Sequence, residues 1–563
     1  MTGRPARQSP ADDRSPDALA ANPTLSDAQL ARLRTYGSPD ELEVGETAFA
    51  AGDPAYDLIV IDQGAIEVVR TATLNAPEAS VITFGPGAFV GELGILSGQI
   101  TYLTGRVVER ARVHRISLTQ LRRLMATDPE LSDVLLRAFL ARRRRLSAGP
   151  AARVLQIVGS ALDSEALALR TYAARRALPH VWLDADSLEG RALMRAAALT
   201  TVDLPAAIAP DRTLVRATPG RLAQHLGLAY RQTSEDPADL VIIGAGPAGL
   251  AAAVYGASEG LRTIVLDAVG PGGQAASSAR IENYLGFPTG LSGAQLSENA
   301  VAQAMKFGAQ VSTPCEVTCL DTGCELLAVV LSDGTPVSSK AVIVATGARY
   351  RTLGLEGWQK LQGAGIYYAA TELEARGSAG QAVTVVGGAN SAGQAALFLA
   401  SSDRLVTLAV RGPDLAARMS QYLVDRILAD PRIEVRTATE ITRLHGGQVL
   451  ERITLTHRPT GSEETRACRG LFCFIGAEPA TGWLSGVAMD RSGFIRTDVQ
   501  LTPDDLDGTW AALGRSPLPF ETSVPAVFAA GDVRLGSMKR VAAAVGEGAS
   551  AVSSVHRAIG VLS

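Results

Sequence analysis

Three glycines in the second half of the chain have the spacing with which a backbone loop holds the pyrophosphate of a dinucleotide. They follow an apolar run at residues 240–243 and open an alanine-rich stretch that predicts a helix. In such a loop the first glycine permits a tight turn, the second admits the phosphates and the third lets the helix pack on the strand. Asp267 lies 23 residues beyond the first glycine, where a carboxylate accepts hydrogen bonds from an adenosine ribose. This first fingerprint comprises Gly244, Gly246, Pro247, Ala248 and Gly249.

A second, altered fingerprint follows an apolar run at residues 383–386. Ala389 replaces its second glycine and adds a methyl group where a pyrophosphate would come nearest. The next predicted strand ends in Arg411 rather than in an acid, and a cation there suits the 2′-phosphate of NADP, with Arg418 able to assist. The alternative is a dinucleotide-binding fold whose nucleotide site is damaged. The remaining residues of this fingerprint are Gly387, Gly388, Asn390, Ser391 and Ala392.

Two dinucleotide sites in one chain indicate a hydride relay, from a nicotinamide to a flavin and then to an acceptor. From residue 240 to the C-terminus the sequence resembles the low-molecular-weight thioredoxin reductases, a branch of the pyridine nucleotide–disulfide oxidoreductases. Besides the fingerprints, the resemblance rests on motifs at residues 271–274, 281–288, 345–347, 523–532 and 539–548.

The resemblance implies FAD as the cofactor, NADPH as the donor with NADH possible, and a homodimer. It also implies that the FAD domain is split around an inserted NADPH domain, with Asp532 bonding the ribityl chain. The other flavin-binding residues that it implies are Gly273, Gln274, Asn283, Ala345, Thr346, Gly347, Gly531, Lys539, Arg540 and Val541.

The sequence departs from this family at the redox-active cysteines. The family carries Cys-Ala-Thr-Cys followed by Asp, whereas the matching positions here are Ala369, Glu372 and Leu373. Because a thiolate is the nucleophile of disulfide exchange, the family's usual route to thioredoxin reduction is excluded. Glu372 could donate a proton, although an exposed helix carboxylate is the simpler interpretation.

The five cysteines that are present form no Cys-x-x-Cys pair, and their spacing does not predict a metal site. We interpret all five as small buried hydrophobic residues. They are Cys315, Cys319, Cys324, Cys468 and Cys473.

Glycine-punctuated β-rich segments between residues 45 and 113 predict a small β-roll that resembles the cyclic-nucleotide-binding domains. In that family a glutamate, here Glu92, bonds the ribose 2′-OH, and an arginine nine residues later pairs with the cyclic phosphate. Thr101 occupies the arginine position, and Arg106 on the next strand could reach in. Thr cannot supply a charged bidentate contact, so ordinary cyclic AMP binding is not expected.

The order βαβαββα over residues 151–230 matches a thioredoxin fold. Its redox pair would lie at Ser160–Asp163, where there is no cysteine, and Leu204-Pro205 occupies the usual cis-proline position. A thioredoxin-like module without a dithiol suggests a docking role.

The 563 residues are 47% hydrophobic, which is enough for several cores, and the net charge of −4 argues against a nucleic-acid partner. The Arg142–Arg145 run is interpreted as a solvated helix end. No signal peptide or membrane anchor is recognisable, so we expect a cytoplasmic protein.

The predicted fold class is α/β, with two Rossmann-like dinucleotide-binding domains preceded by the β-roll and the thioredoxin-like domain. The predicted divisions are a disordered tail (1–24), the roll with its helix (25–147), the thioredoxin-like domain (151–230), the FAD domain (239–350 and 475–563) and the NAD(P)H domain (351–474).

The favoured function is an FAD-dependent NAD(P)H oxidoreductase, regulated by the N-terminal domain, whose acceptor is a quinone, an electron-transfer protein or dioxygen. Two alternatives remain. One is a flavin-binding sensor or scaffold with little turnover, and the other is a thioredoxin-disulfide reductase that uses non-standard cysteines.

Overall fold

The structure, a computed structural model, describes residues 16–54, 56–148, 153–160, 163–232, 234, 236–278, 281, 283–323, 326–362, 364–368, 370, 380–402 and 404–560. The N-terminal module is an antiparallel roll with the strand order β1-β6-β3-β4, in which β2 pairs with β6 and β5 with β3. Its elements are α1 (Pro16–Ala21), α2 (Asp27–Arg34), β1 (Ser38–Leu42), β2 (Thr47–Phe49), β3 (Leu58–Arg70), β4 (Ala79–Phe84), β5 (Phe89–Val90), α3 (Gly94–Ser97), β6 (Thr104–Ile116), α4 (Leu118–Thr127) and α5 (Pro129–Ala148).

Two expectations for this region were wrong. Part of the expected tail forms α1, because Ala21 is buried and its carbonyl accepts a hydrogen bond from Arg142 at 2.8 Å. The arginine run is not simply solvated either, since Arg143 is 4% exposed and Arg142 also donates to the carbonyls of Phe89 and Gly91. These arginines cross-link the roll to its last helix.

The second module has the βαβαββα order that the sequence predicts. Its sheet order is β10-β9-β7-β8, with β7 and β8 parallel and β9 antiparallel to both of its neighbours. The Leu204–Pro205 peptide is cis. The elements are β7 (Gln156–Gly159), α6 (Ser164–Arg175), β8 (Val181–Asp184), α7 (Leu188–Ala196), β9 (Ala206–Ile208), β10 (Thr213–Leu214) and α8 (Pro219–His225).

The third unit begins as a parallel sheet. Strands β13, β12, β11 and β16 run parallel in that order, and β14 and β15 extend the sheet with antiparallel pairing. The elements are β11 (Ala238–Ile243), α9 (Pro247–Ser258), β12 (Thr263–Leu266), α10 (Gly293–Lys306), β13 (Gln310–Ser312), β14 (Val317–Asp321), β15 (Leu327–Leu331), β16 (Pro336–Val344) and β17 (Ala348–Tyr350).

An inserted unit follows, built on five parallel strands in the order β18-β25-β19-β20-β21 and a separate antiparallel sheet, β22-β23-β24. The elements are α11 (Trp358–Leu361), β18 (Ile366–Tyr367), β19 (Val383–Val386), α12 (Asn390–Ser401), β20 (Val406–Ala409), α13 (Gln421–Ala429), β21 (Ile433–Arg436), β22 (Thr439–His445), β23 (Arg452–His457), β24 (Ser462–Ala467), β25 (Gly470–Cys473) and β26 (Ala477–Pro479).

After the insertion the chain returns to the third unit. Strand β26 pairs with β17, and the following strand joins the parallel sheet beside β16. The last elements are α14 (Gly508–Leu513), β27 (Val527–Ala529) and α15 (Val541–Ala558). The two Rossmann-like units and the β-rich N-terminal module confirm the predicted fold class.

Candidate functional site

The turn between β11 and α9 has no room for side chains. Gly244 has φ +107°, and a Cβ there would lie 2.3 Å from the carbonyl oxygen of Ala345. A Cβ on Gly249 would lie 1.8 Å from the carbonyl oxygen of Gly244. The first and third fingerprint glycines are therefore required by backbone contacts between the helix, the turn and β16.

The start of α9 suits a diphosphate. A Cβ built on Gly273 would lie 3.0 Å from Gly246 Cα, so the two glycine backbones are in direct contact and no side chain covers the start of the helix there. Pro247 begins the helix, and the amides of Ala248 and Gly249 have no carbonyl partner within it. Such amides bind anions at the positive end of the helix dipole. The fingerprint residues thus fit the pyrophosphate of FAD.

Asp267 has a structural role that the sequence did not reveal. One carboxylate oxygen accepts the amide of Ala245 at 2.8 Å, and the other accepts the amides of Val269 and Gly270 at 2.9 and 2.8 Å. The carboxylate therefore fixes the fingerprint loop to the end of β12. Each oxygen has two lone pairs, so acceptor capacity remains for a ribose hydroxyl.

The two flavin motifs come together because α15 crosses α9 in backbone contact. A Cβ on Gly548 would lie 2.0 Å from the carbonyl oxygen of Ala248, and one on Gly531 would lie 2.9 Å from Ala248 Cβ. Asp532 follows Gly531, and burial raises the pKa of its carboxyl group, an effect that Lys539 partly offsets. A half-buried carboxyl group of this kind suits a hydroxyl-rich ligand such as a ribityl chain.

A contact that the sequence analysis missed supports this loop. Glu547 accepts the amide of Gly531 at 2.7 Å and forms an ion pair with Arg534 at 2.9 Å. Lys539 and Arg540 are exposed just before Val541, the first residue of α15. The acid at residue 547 was visible in the sequence, but its partners 13 and 16 residues earlier were not recognisable from spacing alone.

The crossover segment between β16 and β17 forms hydrogen bonds both with the chain before the insertion and with the chain after it. Gln274 Nε2 donates to the carbonyl of Ala348 at 2.5 Å, and Thr346 Oγ1 donates to the carbonyl of Ala480 at 3.0 Å. Ala345 is buried at the fingerprint turn and Gly347 has φ +66°. Asn283 is exposed on the loop that follows Ile281.

The second fingerprint is also a tight turn. Gly387 has φ +146°, and a Cβ there would lie 2.4 Å from the carbonyl oxygen of Phe474. Gly388 is similarly confined, with Val410 Cγ1 3.0 Å from a built Cβ. Ala389 is the N-cap of α12 and is exposed, so the turn accommodates its methyl group at the protein surface. Of the other fingerprint residues on α12, Ser391 is exposed and Ala392 is buried.

The two candidate phosphate-binding arginines lie on one loop near the N-terminus of α12. Asn390 fastens this loop: its Nδ2 donates to Ser420 Oγ at 2.9 Å, and its Oδ1 accepts the amide of Ser420 at 2.7 Å. Arg411 and Arg418 are both exposed between β20 and α13. Two cations beside a helix N-terminus fit a phosphorylated ribose.

The cysteine-replacing positions Ala369 and Glu372, with Leu373, lie outside the described residues. The residue before them, Tyr368, stacks on Tyr350 with ring centroids 5.2 Å apart and accepts a hydrogen bond from Trp358 Nε1 at 2.8 Å. A stacked aromatic pair therefore directly precedes, in the sequence, the positions where the family keeps its dithiol.

The described cysteines do not offer a substitute. Burial raises the pKa of Cys315 and Cys468 to about 11 and that of Cys473 to about 12. Such thiols stay protonated, and thus unreactive, near neutral pH. Cys319 contradicts the expectation of burial, because it lies on the outer face of strand β14 and is exposed. Cys324 lies outside the described residues.

In the second module, the position predicted for a redox cysteine makes a contact within the protein instead. Asp163, at the second cysteine position, caps α6 by accepting the amides of Ala166 at 3.0 Å and Glu165 at 3.4 Å. The positive end of this helix, which would stabilise a thiolate, is already bonded to a carboxylate.

The nucleotide-recognition residues of the roll are similarly engaged. Arg143 donates to Glu92 from Nη2 at 2.9 Å and from Nε at 3.1 Å, in a largely buried ion pair. Thr101 is buried, and its hydroxyl donates to the carbonyl of Leu103. Arg106 pairs with Glu78 on the surface instead of reaching in.

A segment of the thioredoxin-like module covers this part of the roll. The amide of Ile100 donates to the carbonyl of Leu226 at 3.1 Å. Gly227 has φ +74°, and a Cβ there would lie 2.8 Å from the carbonyl oxygen of Gly98. Leu226 and Leu228 are buried in a core shared by both modules. Residues 226 and 227 of the thioredoxin-like module therefore pack against the segment of the roll where a cyclic phosphate would bind.

We therefore expect the purified protein to show no saturable binding of cyclic AMP or cyclic GMP by isothermal titration calorimetry. The expected cause is that Glu92 is paired and residues 98–101 are covered. Saturable binding that Glu92→Gln abolishes would contradict this interpretation.

We also expect iodoacetamide to alkylate Cys319 in the native protein near neutral pH while Cys315, Cys468 and Cys473 stay protected. Exposure and the raised pKa values of the buried thiols give this order. Peptide mass spectrometry measures the extent of alkylation at each cysteine. The control is the urea-unfolded protein, in which the three buried cysteines should react as well. Native labelling of Cys468 or Cys473 as fast as Cys319 would show that a buried thiol is accessible.

Comparison with known proteins supports the two resemblances. Residues 238–548 match the family described as pyridine nucleotide-disulphide oxidoreductase, and residues 39–128 match the cyclic nucleotide-binding domain. The chain is 34% identical over 329 residues to a thioredoxin reductase of Streptomyces clavuligerus, which covers 58% of this chain and 95% of that one. It is also 34% identical over 313 residues to the thioredoxin reductase of Treponema pallidum, covering 56% and 94%.

Solved structures give the same result. The thioredoxin reductase of T. acidophilum aligns with a TM-score of 0.51 and 29% identity, over 57% of this chain and 99% of that one. The thioredoxin reductase of Lactococcus lactis aligns with a TM-score of 0.51 and 27% identity, over 58% and 100%. Across the described part of the chain, no helix combines the length and the apolar character needed to cross a bilayer.

Proposed function

The chain belongs to the pyridine nucleotide-disulphide oxidoreductase family, and from this premise we propose that it passes electrons from NADPH through FAD to an acceptor that is not a dithiol. Its oxidoreductase class and thioredoxin-reductase-like scaffold follow from the family. The acceptor is inferred from one observation: the fingerprints remain, whereas the two cysteine positions hold Ala369 and Glu372.

The protein residues would bind and orient the cofactors. The amides at the start of α9 would bind the diphosphate, and the half-buried carboxyl group of Asp532 would accept a hydrogen bond from a ribityl hydroxyl. When bound, FAD supplies the capacity to accept a hydride and to release electrons to the acceptor. Arg411 and Arg418 would hold the 2′-phosphate and so favour NADPH over NADH.

Among the three acceptor classes, the aromatic surface favours a quinone. Tyr350 and Tyr368 are stacked, with an interplanar angle of 5°, and Tyr368 directly precedes Ala369 in the sequence. A planar ring system can stack on such a pair, whereas dioxygen would gain little from it. An electron-transfer protein remains the second candidate.

We further propose that residues 239–350 and 475–563 form the FAD domain around an NADPH domain at 351–474. The pairing of β17 with β26 at the two crossings and of β27 with β16 supports these divisions. The preceding units would be 25–147 and 151–230. The homodimer stays a prediction from the resemblance.

Anaerobic addition of NADPH to the purified flavoprotein is expected to bleach the flavin absorbance. A generic quinone should then restore the absorbance far faster than oxidised thioredoxin, because no described thiol is poised to relay electrons to a disulfide. An unbleached spectrum would favour the sensor alternative. Thioredoxin reduction that iodoacetamide abolishes would instead favour the non-standard cysteines.

Replacement of Arg411 by Ala is expected to raise KM for NADPH about tenfold and to leave KM for NADH almost unchanged. A hydrogen bond to a charged group contributes about 1.5–3 kcal/mol, and NADH lacks the phosphate that would receive it. Steady-state kinetics measure both constants. Arg426→Ala, an exposed arginine on α13, is the matched control. An equal rise for both nucleotides would refute a phosphate contact.

A further inference from the structure

A cavity of about 360 Å³ lies where the thioredoxin-like module meets the first dinucleotide-binding unit. This volume is within the range of small-molecule sites. Most of its lining is apolar, with a few hydroxyl and amide groups. Its lining includes Leu167, Ala168 and Thr171 of α6, Ala268 and Val269 of the loop after β12, and Gln362 of the inserted unit.

The position of the cavity relative to Asp267 suggests its ligand. Ala268 and Val269 directly follow the carboxylate that is predicted to bind the adenosine ribose. The base of a nucleotide is attached to that ribose and must lie within a few bonds of it. Val269 is 45% exposed, so an apolar side chain next to the ribose position lacks a covering partner.

Helix α6 is held firmly against this loop. Tyr172 is fully buried, and its hydroxyl donates to the carbonyl of Thr313 at 3.1 Å. That strand end is joined to the acid, because the amide of Cys315 donates to the carbonyl of Asp267 at 2.7 Å. Further along α6, Arg175 Cβ lies 3.0 Å from the Cβ position of Gly270. The helix wall and the ribose-binding loop therefore form one packed unit.

We propose that the adenine ring of FAD occupies this cavity and that α6 of the thioredoxin-like module forms its outer wall. The apolar surfaces of Leu167 and Val269 suit the faces of the ring, and the Thr171 hydroxyl suits its polar edge. The proposal rests on the proposed function, in that FAD must bind at the first fingerprint. It gives the module without a dithiol a defined role in retaining the cofactor.

The test fills the cavity and follows the release of FAD from the holoprotein. Ala168→Trp places an indole in the cavity, whereas Ala174→Trp places one on an exposed part of the same helix. Flavin fluorescence after dilution gives the rate of FAD dissociation. The expected result is a rate at least about tenfold higher for Ala168→Trp than for Ala174→Trp, which at an equal association rate corresponds to about 1.4 kcal/mol of affinity. The Kd for NADPH should be the same in both variants.

Two results would overturn the proposal. One is an equal FAD dissociation rate in the two variants, and the other is weakened binding of NADPH together with FAD, which would indicate general destabilisation. Should Ala168→Trp fail to fold, Leu167→Ala removes wall atoms instead, and it too must accelerate FAD release; an unchanged rate again overturns the proposal.

The outcome is separable from that of the proposed function. A flavoprotein that loses FAD faster in Ala168→Trp but is never bleached by NADPH would support the cavity assignment and refute the oxidoreductase. Normal bleaching by NADPH together with an unchanged rate of FAD release would support the oxidoreductase and refute the cavity assignment.

Discussion

Direct backbone contact at the start of α9 is the constraint on which the arrangement of the third unit depends. Gly249 allows the helix to rest on the carbonyl of Gly244, and Gly548 allows α15 to rest on the carbonyl of Ala248. A single methyl group at either glycine would force the elements apart. Because both helices meet at this point, the chain brings motifs from near residues 245 and 532 to one place. The closeness of the α9 N-terminus to the half-buried carboxyl group of Asp532 is a consequence of that contact.

In the N-terminal half of the chain, residues that could serve a ligand are bonded to protein. Glu92 is paired with Arg143, Asp163 caps α6, and the carbonyl of Leu226 accepts the amide of Ile100 next to Thr101. Each contact satisfies a polar group that an open binding site would leave for a ligand. The roll and the thioredoxin-like module share a hydrophobic core, and other roll residues share a core with the third unit. The N-terminal half is therefore structurally continuous with the nucleotide-binding half.

The sequence predicted best what depends on neighbouring residues. Both fingerprints and the βαβαββα order were recognisable because glycine spacing and strand periodicity are local signals. Contacts between distant segments were not recognisable. Arg143 forms a hydrogen bond with Glu92, 51 residues away, and Tyr172 forms one with Thr313, 141 residues away. The same limitation explains the errors. A run of arginines and a cysteine on a strand carry no local sign of whether the surrounding fold will cover them.

The pairing of β17 with β26 has a mechanical consequence. The chain enters and leaves the inserted unit through this two-stranded ribbon, whose ends carry Gly347 at φ +66° and Gly476 at φ +96°. A two-stranded connection of this kind is narrow, so the insert could rotate about it as a unit. Such a rotation would alter the distance between the two nucleotide sites. It would also move Gln362 relative to α6, with which it lines one cavity, and so would link the position of the insert to the N-terminal half of the chain.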